Sequence, residues 1–389
     1  MKLLRKCYNL FMNISLNIFS IIVLFGVIQG VLLSIIVFFT NKGNLKANKS
    51  FSILLLSISL SISTYIIISA NIYKYAPFLI RTYEPLQFLF GPLIFLYVLF
   101  QTNTKKKINI YDVFNFIPFL IYLVYLVPFF LKGYQYQLKY AEVFLSDKAD
   151  LFEIVFELLT TLHVWIYIIL SILILNRYQK QIKEDYSTID KINLNWLKAF
   201  LIGMVAVYSA FFIPAVLMIF GFNLRLIVAL ITTTASLSIY VMSFFVIRQS
   251  LVFNKITLNE PGTDKKDKYI KSPLKDEKIN QYWKILTDLI EEERLYLNPE
   301  LTLQDISEKM KLPRQYVSQI INQCYGNTFY DLINNYRVGE AKKLLKAPEN
   351  KNYTILSIAF DAGFNSKATF NHIFKKMTGL TPSQFLSLK

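Results

Sequence analysis

Up to Ile247 the chain is built from long apolar runs separated by short polar loops, and beyond it apolar residues recur at helical spacing inside a polar background. The runs are Ile18–Phe39, Phe51–Ile72, Pro85–Phe100, Val113–Leu131, Ile154–Leu175, Trp196–Phe220 and Leu226–Ile247. A helix rises about 1.5 Å per residue and a bilayer's hydrocarbon core is roughly 30 Å thick, so most of these runs are long enough to cross. The third is short and contains Gly91-Pro92, which predicts a start nearer Tyr83 or a kink. Lys2, Arg5 and Lys6 precede the first run, as in a signal peptide. That run is too long for a signal h-region and TNKGNLKANKS after it lacks a small-residue cleavage pattern, so it is expected to remain as a span.

From Arg248 to Pro273 the composition turns polar and turn-rich, which marks a linker. A helix is predicted over Asp276–Leu295, with Ile279, Tyr282, Trp283, Leu286, Leu289 and Ile290 on one stripe. That stripe must be buried, on the following module or on a second copy of itself. Thr302 with Asp305 makes a capping box that opens LQDISEKM. The turn KLP then leads into RQYVSQIINQCYG, whose Val317, Ile320 and Ile321 face inward while Arg314, Gln315, Ser318 and Gln319 face outward. A second helix-turn-helix follows Ala359. Gly363 supplies its left-handed turn, Phe364 fills the corner and Ser366 caps a helix that buries Phe370 and Phe374. Lys367, Asn371, His372 and Lys375 lie on its other faces. Between the units a helix over FYDLINNYRVGEAKKLLKA places Phe329, Leu332, Ile333, Tyr336, Ala341, Leu344 and Leu345 on a core side. Arg337, Lys342, Lys343 and Lys346 fall elsewhere, free for acids or phosphates. The predicted organisation is all-α: a seven-transmembrane-helix bundle over residues 1–247, a juxtamembrane linker and coupling helix over 248–300, and a cytoplasmic double helix-turn-helix over 301–389.

Composition agrees with this division. Hydrophobic residues make up 54% and charged ones only 17%, and the net charge of +16 favours a phosphate-bearing partner, nucleic acid or anionic lipid. From Thr302 onward 12 basic residues face 6 acidic ones. Cys7 and Cys324 form no disulfide framework, and His163 and His372 have no companions at metal-ligand spacing. No Walker loop, dinucleotide fingerprint or histidine-kinase signature is present, so neither an enzyme nor a cofactor is expected. With the C-terminus inside, the inner loops carry Lys42, Lys46, Lys49, Lys105 to Lys107, Arg177, Lys180, Lys183 and Lys191. The outer ones carry only Lys74, Arg81, Lys132, Lys139, Lys148 and Arg225. The three basic residues of the N-terminal tail oppose this orientation, unless Met12 is the start.

Polar residues within spans are costly and therefore informative. Glu153 and Glu157 share a face at the outer end of the fifth run, with His163 on another. Wet interfacial carboxylates and a hydrogen-bonded histidine are the simpler reading, and a ligand or proton site for a signal is the sharper one. Gly26 and Gly30 form a G-x-x-x-G pair that serves either packing within the bundle or pairing with a second chain.

Phe329 with INNYRVGEAKKLL, then IAFDAGF, FNHIFKK, Gly379 and Thr381-Pro382, in this order and spacing, resembles the DNA-binding domain of the AraC/XylS family of transcription regulators. The preceding helix and YIKSPL resemble its membrane-tethered branch. The resemblance covers roughly Leu301 to Leu388 and implies recognition helices in successive major grooves. Matching by position, it places Gln315, Ser318 and Gln319 at base-facing places in the first unit and Lys367, Asn371 and His372 in the second; Arg314 and Ser366, at the starts of the two reading helices, are further candidate DNA contacts. His372 departs from the Arg common there. The function so implied is a one-component regulator in the inner (cytoplasmic) membrane. Its partners would be promoter DNA, the lipid bilayer and an unknown signal ligand, with RNA polymerase and a second copy as further candidates. The alternative is a membrane receptor or transporter whose C-terminal helices contact another protein.

Overall fold

The computed structural model describes residues 17–41, 43–103, 106–145, 151–219, 234, 276–347 and 353–387. Among these residues the chain is all-helical, apart from one isolated β-bridge between Tyr186 and Thr302. It forms two compact units, Met1–Asn176 with Leu194–Ile256, and Arg177–Asn193 with Thr257–Lys389.

The first unit contains α1 (Ile18–Phe39), α2 (Leu45–Ser69), α3 (Tyr83–Thr102), α4 (Ile110–Phe114), α5 (Ile117–Leu131), α6 (Tyr134–Phe144), most of α7 (Leu151–Asp185) and α8 (Asn195–Ile219). Among the described residues, five helical stretches are long and apolar enough to cross a membrane: Ile18–Phe39, Leu45–Ser69, Pro77–Thr102, Ile110–Leu131 and Ile154–Asp185. The seventh expected run, Leu226–Ile247, and the linker Arg248–Pro273 lie outside the described residues, Thr234 aside. The third run does begin at Tyr83 and carries Pro92 inside its helix. The fourth is broken into α4 and α5 at Asn115 and Phe116.

This unit exposes large apolar side chains, and the face that α1 packs within it is made of small or polar residues. Phe25, Leu32 and Phe39 of α1, Ile121 and Leu131 of α5, and Leu159 and Ile166 of α7 are exposed. The buried stripe of α1 is Ser20, Val23, Gly26, Gly30, Ser34 and Val37, so the glycine pair lies on a face packed within the unit. Hydroxyls clamp that stripe to α2: Ser20 donates to Ser69 Oγ at 2.7 Å, and Ser52 donates to the Ser34 carbonyl at 2.8 Å. Ser57, Ser59 and Ser63 of α2 donate to carbonyls of the preceding turn, which satisfies a hydroxyl where no water is needed. Near the start of α3 a buried Arg81 forks onto Glu84 (Nη2 to Oε2, 2.8 Å) beneath the ring of Tyr140, 4.9 Å away. Tyr122 Oη donates to the same carboxylate at 2.7 Å. A charge pair this deep persists because its hydrogen bonds are met.

The second unit combines residues 177–193 with α9 (Asp276–Glu292), α10 (Leu303–Met310), α11 (Arg314–Cys324), α12 (Phe329–Lys346), α13 (Ile355–Asp361), α14 (Lys367–Thr378) and α15 (Pro382–Ser387). Two apolar clusters form its core. Ile279, Leu286 and Ile290 of α9 join Ile306 of α10, Val317, Ile320 and Ile321 of α11, and Phe329, Leu332 and Ile333 of α12. The stripe on α9 is thus covered by the first helix-turn-helix, which decides between the two partners the sequence left open. Val338, Ala341 and Leu345 of α12 join Ile358, Phe364, Phe370 and Phe374 in the second cluster. One helix therefore supplies successive turns to both cores.

Arg337 sits where the clusters meet, and here the sequence expectation fails. It was placed on a face free for acids or phosphates, yet it is 1% exposed. Its Nε donates to the Tyr296 carbonyl (2.8 Å). Nη1 donates to the Ser187 carbonyl (2.9 Å) and Thr188 Oγ1 (3.1 Å), and Nη2 to Ser187 Oγ (3.0 Å) and the Asn298 carbonyl (2.8 Å). Burial pulls the guanidinium down to about 10, which leaves it cationic at neutral pH. A lysine cannot reproduce this planar fork of donors. Arg337→Lys should lower the stability of this unit by at least about 1.5 kcal/mol through lost charge-assisted hydrogen bonds. Urea unfolding followed at Trp283 measures it, and an unchanged midpoint would remove Arg337 from this role.

Candidate nucleic-acid interface

Each helix-turn-helix is assembled by local rules. In the first, Thr302 Oγ1 accepts from the Asp305 amide (3.2 Å) while Asp305 Oδ2 accepts from the Thr302 amide (2.8 Å), closing the capping box. Lys311 adopts φ 53° at the end of α10, and Pro313 precedes α11, where an amide without a hydrogen loses nothing. In the second, Ser366 Oγ accepts from the Thr369 amide (3.2 Å) to cap α14.

Gly363 makes the turn between α13 and α14 at φ +88°. A Cβ there would stand 2.5 Å from the Tyr296 carbonyl oxygen and 2.8 Å from Leu297 Cα. The second unit's turn is therefore pressed against the 3-10 turn Leu295–Leu297, whose Tyr296 carbonyl also receives Arg337. Backbone meets backbone, so neither side can yield by a rotamer change.

The candidate DNA residues divide into two groups. Gln315, Lys367 and His372 are exposed, and Ser318, Gln319 and Asn371 are half-buried. Gln319 Nε2 reaches Gln323 Oε1 at 3.4 Å and Ser318 Oγ accepts from Asn322 at 3.3 Å, weak bonds along one helix face. The other two are engaged. Arg314, the first residue of α11, is ion-paired with Asp185, and Ser366, at the start of α14, donates to Asp190 Oδ2 at 3.1 Å. Residues 184–190 thus touch both reading helices, and nothing in the local sequence signals it. Their only visible oddity is three carboxylates in a loop otherwise marked by lysines. Cys324 is half-buried against the first cluster, as a small apolar filler would be.

The candidate signal residues are less organised. Glu157 is half-buried and hydrogen-bonded to Gln87, while the side chain of Glu153 lies outside the described residues. His163 is not the hydrogen-bonded histidine expected: neither ring nitrogen has a partner among the described residues, and the ring stands edge-on to Phe88 (5.5 Å) and Tyr167 (5.0 Å). The aromatic neighbours offer it no acceptor. Among the described residues no cluster of His, Cys, Asp or Glu could hold a metal.

A helix-turn-helix domain family matches residues 306–387. The probable transcription factor PqrA of Proteus vulgaris is 31% identical over 103 residues, 26% of this chain and 82% of that protein. The chain belongs to the AraC-type helix-turn-helix family of transcription regulators. An uncharacterized HTH-type transcriptional regulator of Staphylococcus aureus (strain COL) is 32% identical over 114 residues, 29% of this chain. The chain spans 14% of the length of that regulator. The C-terminal domain of the two-component response regulator yesN from Fusobacterium nucleatum is 33% identical, covering 27% of this chain and 98% of that one with a TM-score of 0.24. These relatives indicate no enzyme family.

Gly363→Ala combines left-handed backbone with contact against a backbone oxygen, so it should destabilise by at least about 2 kcal/mol. Thermal unfolding of the purified protein tests this, with Gly379→Ala as comparison, since nothing lies within 4 Å of the latter's absent Cβ. Equal losses at the two glycines would show that the close approach does not matter.

Proposed function

We propose that this AraC-type regulator is anchored in the inner membrane by its first unit and binds promoter DNA from the cytoplasmic side with its second. The observation that carries the reading is the pairing, in one chain, of two reading helices packed on cores bridged by α12 with, among the described residues, five helices long and apolar enough to cross a membrane. The apolar side chains that those helices expose would cost about 25 cal/mol per Å² in water and nothing in lipid. In this reading the first unit senses a signal, transmitted because the signal binds two of its arrangements unequally. Glu157 is the candidate contact, and lipid, an unknown ligand, RNA polymerase and a second copy remain the proposed partners beside DNA.

Gln315, Ser318, Gln319, Lys367, Asn371 and His372 are the proposed contacts to bases and backbone. Amides of Gln and Asn present a donor and an acceptor that match the adenine edge. Gln319→Ala or Asn371→Ala should cost on the order of 1–3 kcal/mol at a matched site and little on random duplex. Fluorescence anisotropy with both duplexes checks it, and equal losses on the two would contradict base reading. The topology is tested separately. Reporter fusions after Lys105 and after Lys255 should report cytoplasm and one after Lys139 the outer side; an outer-side signal at Lys255 would overturn the proposal.

A further inference from the structure

We propose that the segment Glu184–Asp190 is an intramolecular competitor of DNA: it holds the groove-entering ends of both reading helices, and DNA binding requires it to leave. The proposal rests on the DNA-binding role of the second unit and adds the regulation of that site. Its basis is geometric. Asp185 is ion-paired with Arg314, the first residue of α11. Asp190, five residues on, accepts from Ser366, the N-cap of α14, at 3.1 Å. Glu184 Oε2 accepts from Asn322 Nδ2, on the outer face of α11, at 3.3 Å. Three carboxylates of one short stretch thus reach both helix-turn-helix units.

The chemistry matches what they would displace. A helix N-terminus carries a partial positive charge and unpaired amides, and that end, with its basic residue, meets DNA in helix-turn-helix proteins. A carboxylate on Arg314 takes the donors that a phosphate or a guanine edge would use. Asp185 is only 5% exposed, so the pair is shielded from the salt that screens surface charges.

The segment is seated as well as charged. The Ser187 amide and Oγ both donate to the Leu301 carbonyl, at 3.1 and 2.7 Å, and Ser187 in turn accepts from Arg337. Tyr178 Oη donates to the Ile192 carbonyl (2.9 Å) and Gln179 Nε2 to that of Asn193 (2.8 Å), which closes the stretch on itself. Two functions are therefore separable: Ser187 anchors, while the carboxylates compete. Asp185 is also the last residue of α7, the uninterrupted helix that carries the fifth apolar run.

The test uses full-length protein in nanodiscs and a fluorescein-labelled duplex pool of random sequence. The variant Asp185→Asn with Asp190→Asn keeps shape and the Ser187 anchor but removes the competing charges. It should bind the pool about tenfold more tightly, the equivalent of about 1.4 kcal/mol. Hydrogen exchange on the unaltered protein gives a second readout: amides of 184–190 should exchange faster once duplex is bound. Tighter binding with released protection supports the competitor. Equal affinity of the two proteins, or bound DNA with the segment still protected, overturns it while leaving the DNA-binding reading intact. No binding by either protein overturns that reading and the competitor with it.

Discussion

Burying a guanidinium costs several kcal/mol unless its donors find oxygens, and Arg337 finds them on two stretches of chain remote from its own helix. The Tyr296 and Asn298 carbonyls belong to the turn after α9, Ser187 and Thr188 to a segment far earlier, and the cation itself to the linker helix. No carboxylate is among these partners. Neutral oxygens meet the charge, and Phe364 lies 5.9 Å beneath it. Since Phe364 is the corner plug of the second helix-turn-helix, this one side chain ties the first core, the second core and residues 187–188 into one body. The close approach of Gly363 to Tyr296 and Leu297 depends on that same turn.

This arrangement makes the DNA-reading unit larger than its motifs. The helix Asp276–Glu292 gives Ile279, Leu286 and Ile290 to the first core, and residues 177–193 complete the hydrogen bonds of Arg337. A fragment cut at Leu301 would lose that stripe, uncover the first core and leave donors of a buried cation open. Within this unit, residues 177–193 and the helix Asp276–Glu292 are thereby joined to the reading helices by packing, hydrogen bonds and charge. In the proposed function, a signal that favours one arrangement of these contacts over another would bias DNA binding by a shift between two populated states.

The parts legible in the sequence are those governed by neighbours in the chain. The caps at Thr302 and Ser366, the left-handed turn at Gly363, and the inward Phe370 and Phe374 follow from rules that act within a few residues. The apolar runs announced helices of membrane length for the same reason. Arg337 was misplaced because a helical wheel sees only that it is charged, while its decisive partner, Ser187, lies 150 residues away. The stretch 184–190 was read as a loop because it has no periodicity of its own. Its register comes from Leu301 and Arg337, which no local pattern contains. His163 shows the converse error: a polar residue in an apolar run suggested a hydrogen bond, and the structure surrounds it with rings.

The proposed function places an anchor in the membrane and a reader on DNA in one molecule. Crosslinking cells that carry a C-terminally tagged full-length protein, isolating the membrane fraction, and sequencing the DNA recovered with the tag tests both together. The account predicts that intact protein of 45.4 kDa stays with the membranes and brings down DNA in a small number of sharp peaks. Those peaks should vanish when Gln319 and Asn371 are both replaced by alanine. Membrane-bound protein that enriches no DNA, or DNA peaks found only with a shorter soluble fragment, would contradict it.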